Sequence, residues 1–498
     1  DPYAVYLTKE EFGVNADGIG DDTDALQQAV NQARGLILYI PEGKYRISRT
    51  IDVSTGTRLI GYGKNRPVII LGENTPGFQE GDNKYMITFA SSAGSFYNAV
   101  SNIDIEIGPG NPVAVGIQFH TAQHSYLSHM DFRVGSAMAG LADIGNEVED
   151  LHIYGGQYGL ICGRSAAGWP IVAVDCTFEG QSVAALSLSR SGLAFVRAQF
   201  KNVPTVANIK TDHYDELFIS DALFENVSGP AIIINSYENN HCNQINLQNV
   251  ACNNVPILAG FPGSNKTVSG KGPCYVVEQF SHGLELESLG TVRETKTTFI
   301  ASEVSSIPAL AKTDILKVPA CDTWTDVTKL GVSGDGRTDN TSALRKAIAE
   351  YKTLYFPMGL YNVSDTLTLR PDTVIVALHP SQTVINVPDN TPAFQGDGDP
   401  KPIIETPKGG TNIITGIGVY AGAVNPRAVE VKWMAGTDSM MNDVRLHGGH
   451  GTTLRDGGRN WRQSQDTWNT QPASLWVTDG GGGTFKGIWT PNVFAKSG

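Results

Sequence analysis

The chain has 498 residues, 41% of them hydrophobic, and a formal net charge of −13. Its length is enough for two domains, and the acidic balance, with no visible Lys/Arg cluster, excludes nucleic acid and anionic membrane surfaces as partners. No apolar run approaches the ~20 residues of a membrane span, and 55 Gly with 25 Pro point to short strands and frequent turns.

From the N-terminus, Phe12-Gly13-Val14 reads as a short apolar strand, followed by a turn at Asp17-Gly18. Ala25, Leu26, Ala29, Val30 and Ala33 then fall at helical spacing, which predicts a helix from about Asp22 to Gln32 with Asp21, Asp22 or Thr23 accepting its first amides. Leu36 to Pro41 is a buried strand closed by proline, and Glu42-Gly43 is a turn. Beyond it the helical signal gives way to short strands at 45–47, 58–60, 68–71, 85–89, 103–107 and 115–119. Farther on, Leu151-His152-Ile153, Ile171 to Val174, Leu193 to Val196, Leu217-Phe218-Ile219 and Ile245-Asn246-Leu247 recur about 20–25 residues apart. Several share one frame, as in Asp175-Cys176-Thr177-Phe178, Ala198-Gln199-Phe200 and Asp221-Ala222-Leu223-Phe224. An inward aromatic and a polar corner residue per unit describe one coil of a parallel β-helix.

The opening segment occurs twice. Leu330-Gly331-Val332, Asp335-Gly336, Asp339-Asn340-Thr341 and Ala343-Leu344 repeat the first cap, and Leu354 to Pro357, Gly359, Tyr361 and Ser364 repeat Leu38 to Pro41, Gly43, Tyr45 and Ser48. The match continues at Asn74-Thr75-Pro76 with Asn390-Thr391-Pro392, and at Asn111-Pro112 with Asn425-Pro426. Such shared order marks an internal duplication. The expected architecture is all-β: two parallel β-helices, over 1–300 and 324–498, each with a short N-terminal capping helix, joined by a linker over 301–323.

The chain starts at Asp1, which fits a mature, secreted protein, and sequons at Asn226, Asn265, Asn340 and Asn362 permit that location. The six cysteines form no C-x-x-C motif; a Cys242–Cys252 disulfide is one option, but spacing does not fix connectivity.

The cap motif resembles the start of pectate-lyase-like β-helix proteins. Two caps in one chain resemble glycoside hydrolase family 55, whose members place two right-handed β-helices side by side and cleave β-1,3-glucan from chain ends. The stretch from Val115 to Leu127 and the stretch Asp150-Leu151 through Gly159 resemble family segments. The resemblance implies that Gln123 positions the attacking water. It also implies catalytic carboxylates in late coils of the second helix, one of them in a Glu-His-His stretch, and no such stretch occurs here. Copy two is shorter than copy one, so its helix is expected to be incomplete: either a C-terminal fragment completes it, or the sequence is part of a longer protein.

Inverting hydrolysis needs an acid and a base about 6.5–9.5 Å apart. The catalytic candidates are Gln123, Asp143, Glu147 and Asp479, with Glu149 and Asp150 in the same acidic cluster. The alternatives are an amide ladder for Gln123, a solvated turn for the carboxylates and a flexible turn at Asp479-Gly480. Tyr126, His124, Trp433, His450 and Trp489 are the candidate sugar contacts, against core roles for the tryptophans. No cofactor or metal is expected: histidines four apart on a strand stand ~13 Å from each other. The implied activity is an exo-acting, inverting β-1,3-glucanase on extracellular polysaccharide. A polysaccharide lyase and a non-catalytic carbohydrate-binding β-helix are the alternatives.

Overall fold

Alternation of apolar and polar residues along short strands gives each strand one inward and one outward face. In the computed structural model, which describes residues 1–89, 95–163, 171–210, 215–235, 243–286, 288–290, 294–422, 424–446 and 473–490, these strands stack in parallel with their successors one coil on. The inward rows run unbroken from coil to coil. Ile105, Phe132, Ile153, Phe178, Phe200 and Phe224 lie in register and are all buried. Phe178 and Phe200 stack at 5.2 Å. The chain is therefore an all-β parallel β-helix, as its periodicity predicts.

It divides into two units, Val5–Thr313 and Asp1–Ala4 with Asp314–Gly498. In the first, coil corners use residues with left-handed backbone: Asp150, Asp175, Arg197, Asp221 and Asn249 have φ of 49–56°. Their side chains bond across coils, Arg197 Nε to Asp175 Oδ1 at 2.6 Å and Asn249 Nδ2 to Asp221 Oδ1 at 2.6 Å. At another corner Asn202, Asn226 and Asn254 form an amide ladder with bonds of 3.0 and 3.1 Å. The parallel stack does not run to the end of this unit. Cys274–Glu285 pairs antiparallel with Asn243–Asn253, and Glu294–Glu303 pairs antiparallel with Cys274–Glu285. Strands of reversed direction thus cover the edge that a further coil would otherwise need to satisfy.

Both caps form as helices, Thr23–Gln32 and Thr341–Glu350. The openings before them are helical turns rather than strands: Lys9–Phe12 ends at Gly13 with φ 71°, and Val327–Leu330 ends at Gly331 with φ 83°. Thr8 and Asp326 accept amides at the starts of these turns, which favours a helical turn over extended chain. The duplicated residues make duplicated bonds. Asp21 and Asp339 accept the amides of Thr23 and Thr341, each at 3.0 Å. Tyr45 and Tyr361 donate to the carbonyls of Pro41 and Pro357 at 2.9 and 2.8 Å. Asn111 Oδ1 accepts from Thr75 N at 2.8 Å, and Asn425 Oδ1 from Thr391 N at 3.0 Å, so the Asn-Thr-Pro and Asn-Pro motifs are two halves of one clamp between coils.

Cys252 is a free, buried thiol, pushed up to about 12 by burial; Cys242, its candidate partner, lies outside the described residues. Asn340 and Asn362 are buried; of the sequons, Asn226 and Asn265 are exposed. No helix among the described residues is long and apolar enough to cross a membrane.

Candidate active site

Three successive rungs of the first unit, Ala99–Ser101, Tyr126–Gly135 and Glu147–Gly155, pair in parallel with Ala99, Tyr126 and Glu147 in one row and Ser101, Ser128 and Glu149 in the next. Val100, Leu127 and Val148 belong to the core, so alternation turns Tyr126, Ser128, Glu147 and Glu149 to the outer face. Arg58 stands opposite Ala99 on the preceding rung and extends the first row.

That outer face is built from polar groups withdrawn from solvent. Glu147 and Glu149 are 9% and 5% exposed; two residues apart on one strand, they stand ~7 Å from each other. Arg58 is fully buried. Its Nε donates to the Tyr97 carbonyl at 2.9 Å, its Nη2 to the His124 carbonyl at 3.0 Å, and its guanidinium lies 5.2 Å from the centre of the Tyr126 ring. Tyr97 and His124 have φ of 64° and 56°, a backbone region that bulky residues avoid. Their rings stack at 5.3 Å. One guanidinium thus fixes two left-handed carbonyls and supports the aromatic ring beside Glu147. Gln123 lies in the turn ahead of Tyr126; its carbonyl accepts Tyr97 N at 3.1 Å, and its Oε1 is buried with no hydrogen-bond partner among the described residues.

Register and this turn therefore bring Gln123, His124, Tyr126 and Glu147 to one region. Asp143 does a different job: at φ 48° it closes a turn, its Oδ1 accepting Gly163 N at 2.8 Å. Asp150 is a corner residue whose Oδ2 meets His129 Nδ1 at 2.8 Å. That hydrogen bond is the first of the causes holding its carboxyl below the usual range. Sequence reasoning placed Glu149 in the acidic cluster with Glu147 and did not single out Arg58. The alternation Glu147-Val148-Glu149 puts both glutamates on one face; only the rung register reveals Arg58.

The remaining candidates belong to the second unit. Trp433 is fully buried, bonds the Gly482 carbonyl through Nε1 at 2.8 Å and packs against Phe485; a ring enclosed in this way has no face left for a sugar. Asp479 is exposed in a turn with φ 53°. The glycines after it admit neighbouring backbone, since a Cβ on Gly481 would lie 2.4 Å from the Trp433 carbonyl oxygen. Trp489 is half-buried, with the Arg445 guanidinium 5.8 Å from its ring centre. His450 lies outside the described residues. Glu430, on strand Ala428–Trp433, is fully buried, and burial pushes its carboxyl up to about 8.

Residues 9–210 and 324–486 match the profile of the rhamnogalacturonase A/epimerase, pectate lyase-like family. The chain belongs to that family. Both capped segments fall within the pectate lyase-like match, and the antiparallel end of the first unit falls between its two parts. A glucan 1,3-beta-glucosidase of Cochliobolus carbonum is 21% identical, the similarity covering 91% of this chain and 63% of the relative. The non-secreted LysM effector LysM19 of Penicillium expansum is 22% identical over 73% of this chain and 32% of its own length. A probable glucan endo-1,3-beta-glucosidase of Arthroderma benhamiae is 25% identical over 32% of this chain and 21% of its own. The chain spans less than two thirds of the length of each of these relatives.

Proposed function

We propose that the protein is a secreted, inverting glycoside hydrolase that releases sugar from the end of β-1,3-glucan or a related polysaccharide. The observation that carries this reading is the pair of withdrawn glutamates, Glu147 and Glu149, on one outer face of a single strand, their Cα atoms ~7 Å apart. An inverting mechanism uses carboxyl groups about 6.5–9.5 Å apart, with a water between base and anomeric carbon. Gln123, in the turn ahead of Tyr126, offers its unpartnered Oε1 to that water. Glu147 takes the proton as the water oxygen bonds to the anomeric carbon. Glu149 gives its proton to the glycosidic oxygen as the old carbon–oxygen bond breaks. Exchange with solvent restores both groups. Tyr126 presents a ring to the sugar, and Arg58 holds that ring and the turn in place.

The C. carbonum glucosidase among the relatives supports a glucan as substrate. Lyase chemistry is disfavoured because Arg58, in the same row as Glu147, is buried and committed to backbone carbonyls rather than open to a substrate acid. The test is incubation with laminarin, with products read by chromatography and the first-formed anomer by proton NMR. Glucose appearing first as the α-anomer is expected. Unsaturated, ultraviolet-absorbing products, or retention of the β-anomer, would overturn the mechanism.

A further inference from the structure

The two outer rows that carry the carboxylates do not stop at them. From Tyr126 and Glu147 the first row continues through Val172 and Ala194 to Phe218 and Asn246. From Ser128 and Glu149 the second continues through Val174, Val196 and Ser220 to Gln248 and Gln279. Where they end, a groove of about 490 Å³ opens on the same face, lined by Phe218, Asn246, Gln248, Glu278 and Gln279 together with core residues. Phe218 is 37% exposed. Pairing with the last strand shifts register between Val277 and Gln279, and such a bulge redirects the side chain at its centre. That side chain is Glu278, whose Oε1 accepts Ser302 Oγ at 2.5 Å.

The chemistry of this groove is that of a neutral, hydroxyl-rich ligand. Amides donate and accept in pairs, which suits vicinal hydroxyls, and an exposed phenyl ring suits the apolar face of a pyranose. None of the lining residues is cationic, so an anionic polymer finds no counter-charge. The floor between groove and carboxylates is apolar, with Val172 38% exposed. Three rungs separate Glu147 from Phe218, ~14 Å at the spacing of β-strands.

We propose that this groove is a secondary binding site for a neutral glucan chain, which it holds along the β-helix axis while the chain's end is processed at Glu147 and Glu149. The identity of the ligand rests on the glucan reading above; the site itself does not rest on catalysis.

The test is native electrophoresis through gels containing laminarin, with wild type, Glu147→Gln, Phe218→Ala and the double variant Gln248→Ala/Gln279→Ala. Hydrolysis of laminarin and of a short β-1,3-oligosaccharide is measured in parallel. Retardation of wild type and Glu147→Gln is expected. Both groove variants should bind laminarin about tenfold more weakly and lose activity on the polymer, with turnover of the short substrate unchanged. Variants retarded like wild type while hydrolysis proceeds would overturn the site and leave the hydrolase reading intact. Retardation that depends on Phe218, without product from any glucan, would support the site and remove the hydrolase reading. Absence of retardation in Glu147→Gln would overturn the site.

Discussion

The buried carboxyl of Glu430 makes the stability of the second unit depend on pH in a calculable way. Burial raises its pKa from 4.5 to about 8. Between those values the folded unit keeps a proton that the unfolded chain has released, so stability falls as pH rises through the window and is level on either side. At ~1.4 kcal/mol per pH unit the whole window is worth about 5 kcal/mol. Glu430→Gln keeps the shape and polarity of the protonated acid and has no proton to lose. It should match wild type near pH 4.5 and exceed it by up to about 5 kcal/mol at pH 8. For a unit of this size each kcal/mol moves the melting temperature by roughly 2–4 °C, giving a gap of ~10–20 °C. Differential scanning calorimetry on both proteins at intervals from pH 4.5 to 8 measures it. A melting-temperature difference that stays constant across that range would refute the assignment of a buried, neutral glutamic acid.

Other outcomes follow from the site and the core. Glu147→Gln and Glu149→Gln should each lower hydrolysis of laminarin by about 10²–10⁴-fold with an unchanged melting temperature, since each removes a proton transfer from a preformed face; activity within a few-fold of wild type would remove that residue from the mechanism. Arg58→Met should free the Tyr97 and His124 carbonyls and cost about 2–4 kcal/mol, read by chemical denaturation, with loss of activity at temperatures where the fold persists. Trp433→Ala should cost about 3–5 kcal/mol through the cavity it leaves, again by denaturation. A change in substrate affinity without loss of stability would instead place that ring in a binding site.

The fold was legible because it repeats. Leu38, Tyr45 and Asn111 recur at matching places in the second copy, and in both copies the tyrosine and asparagine make the same bonds, so order along the chain translated directly into structure. The aromatic frame of Phe178, Phe200 and Phe224 likewise became a stacked row, since one coil per repeat places equivalent residues over one another. The antiparallel strands after Asn253 were not legible: strand direction leaves no mark on alternation, and the repeat simply fades there. At the site, Gln123, His124, Tyr126 and Glu147 lie close in sequence and remained together. Arg58 comes from an earlier coil, so its place beneath Tyr126 depends on register. Trp433 shows the converse limit, because tryptophan on an alternating strand points inward or outward according to a phase that a single sequence does not fix.

The reversed strands at the end of the first unit have a mechanical consequence. A stack in which each coil touches only its neighbours loosens from its ends inward, and no residue of Glu294–Glu303 is buried. Its amides should therefore exchange with solvent deuterium early, whereas those of Tyr126–Gly135, clasped on both sides, should be among the last. Compliance would then be concentrated at the margin beside Phe218 and Gln279, where a long chain has to be admitted and released. The rung bearing Glu147 and Glu149 would remain stiff, the property that proton transfer over fixed distances demands.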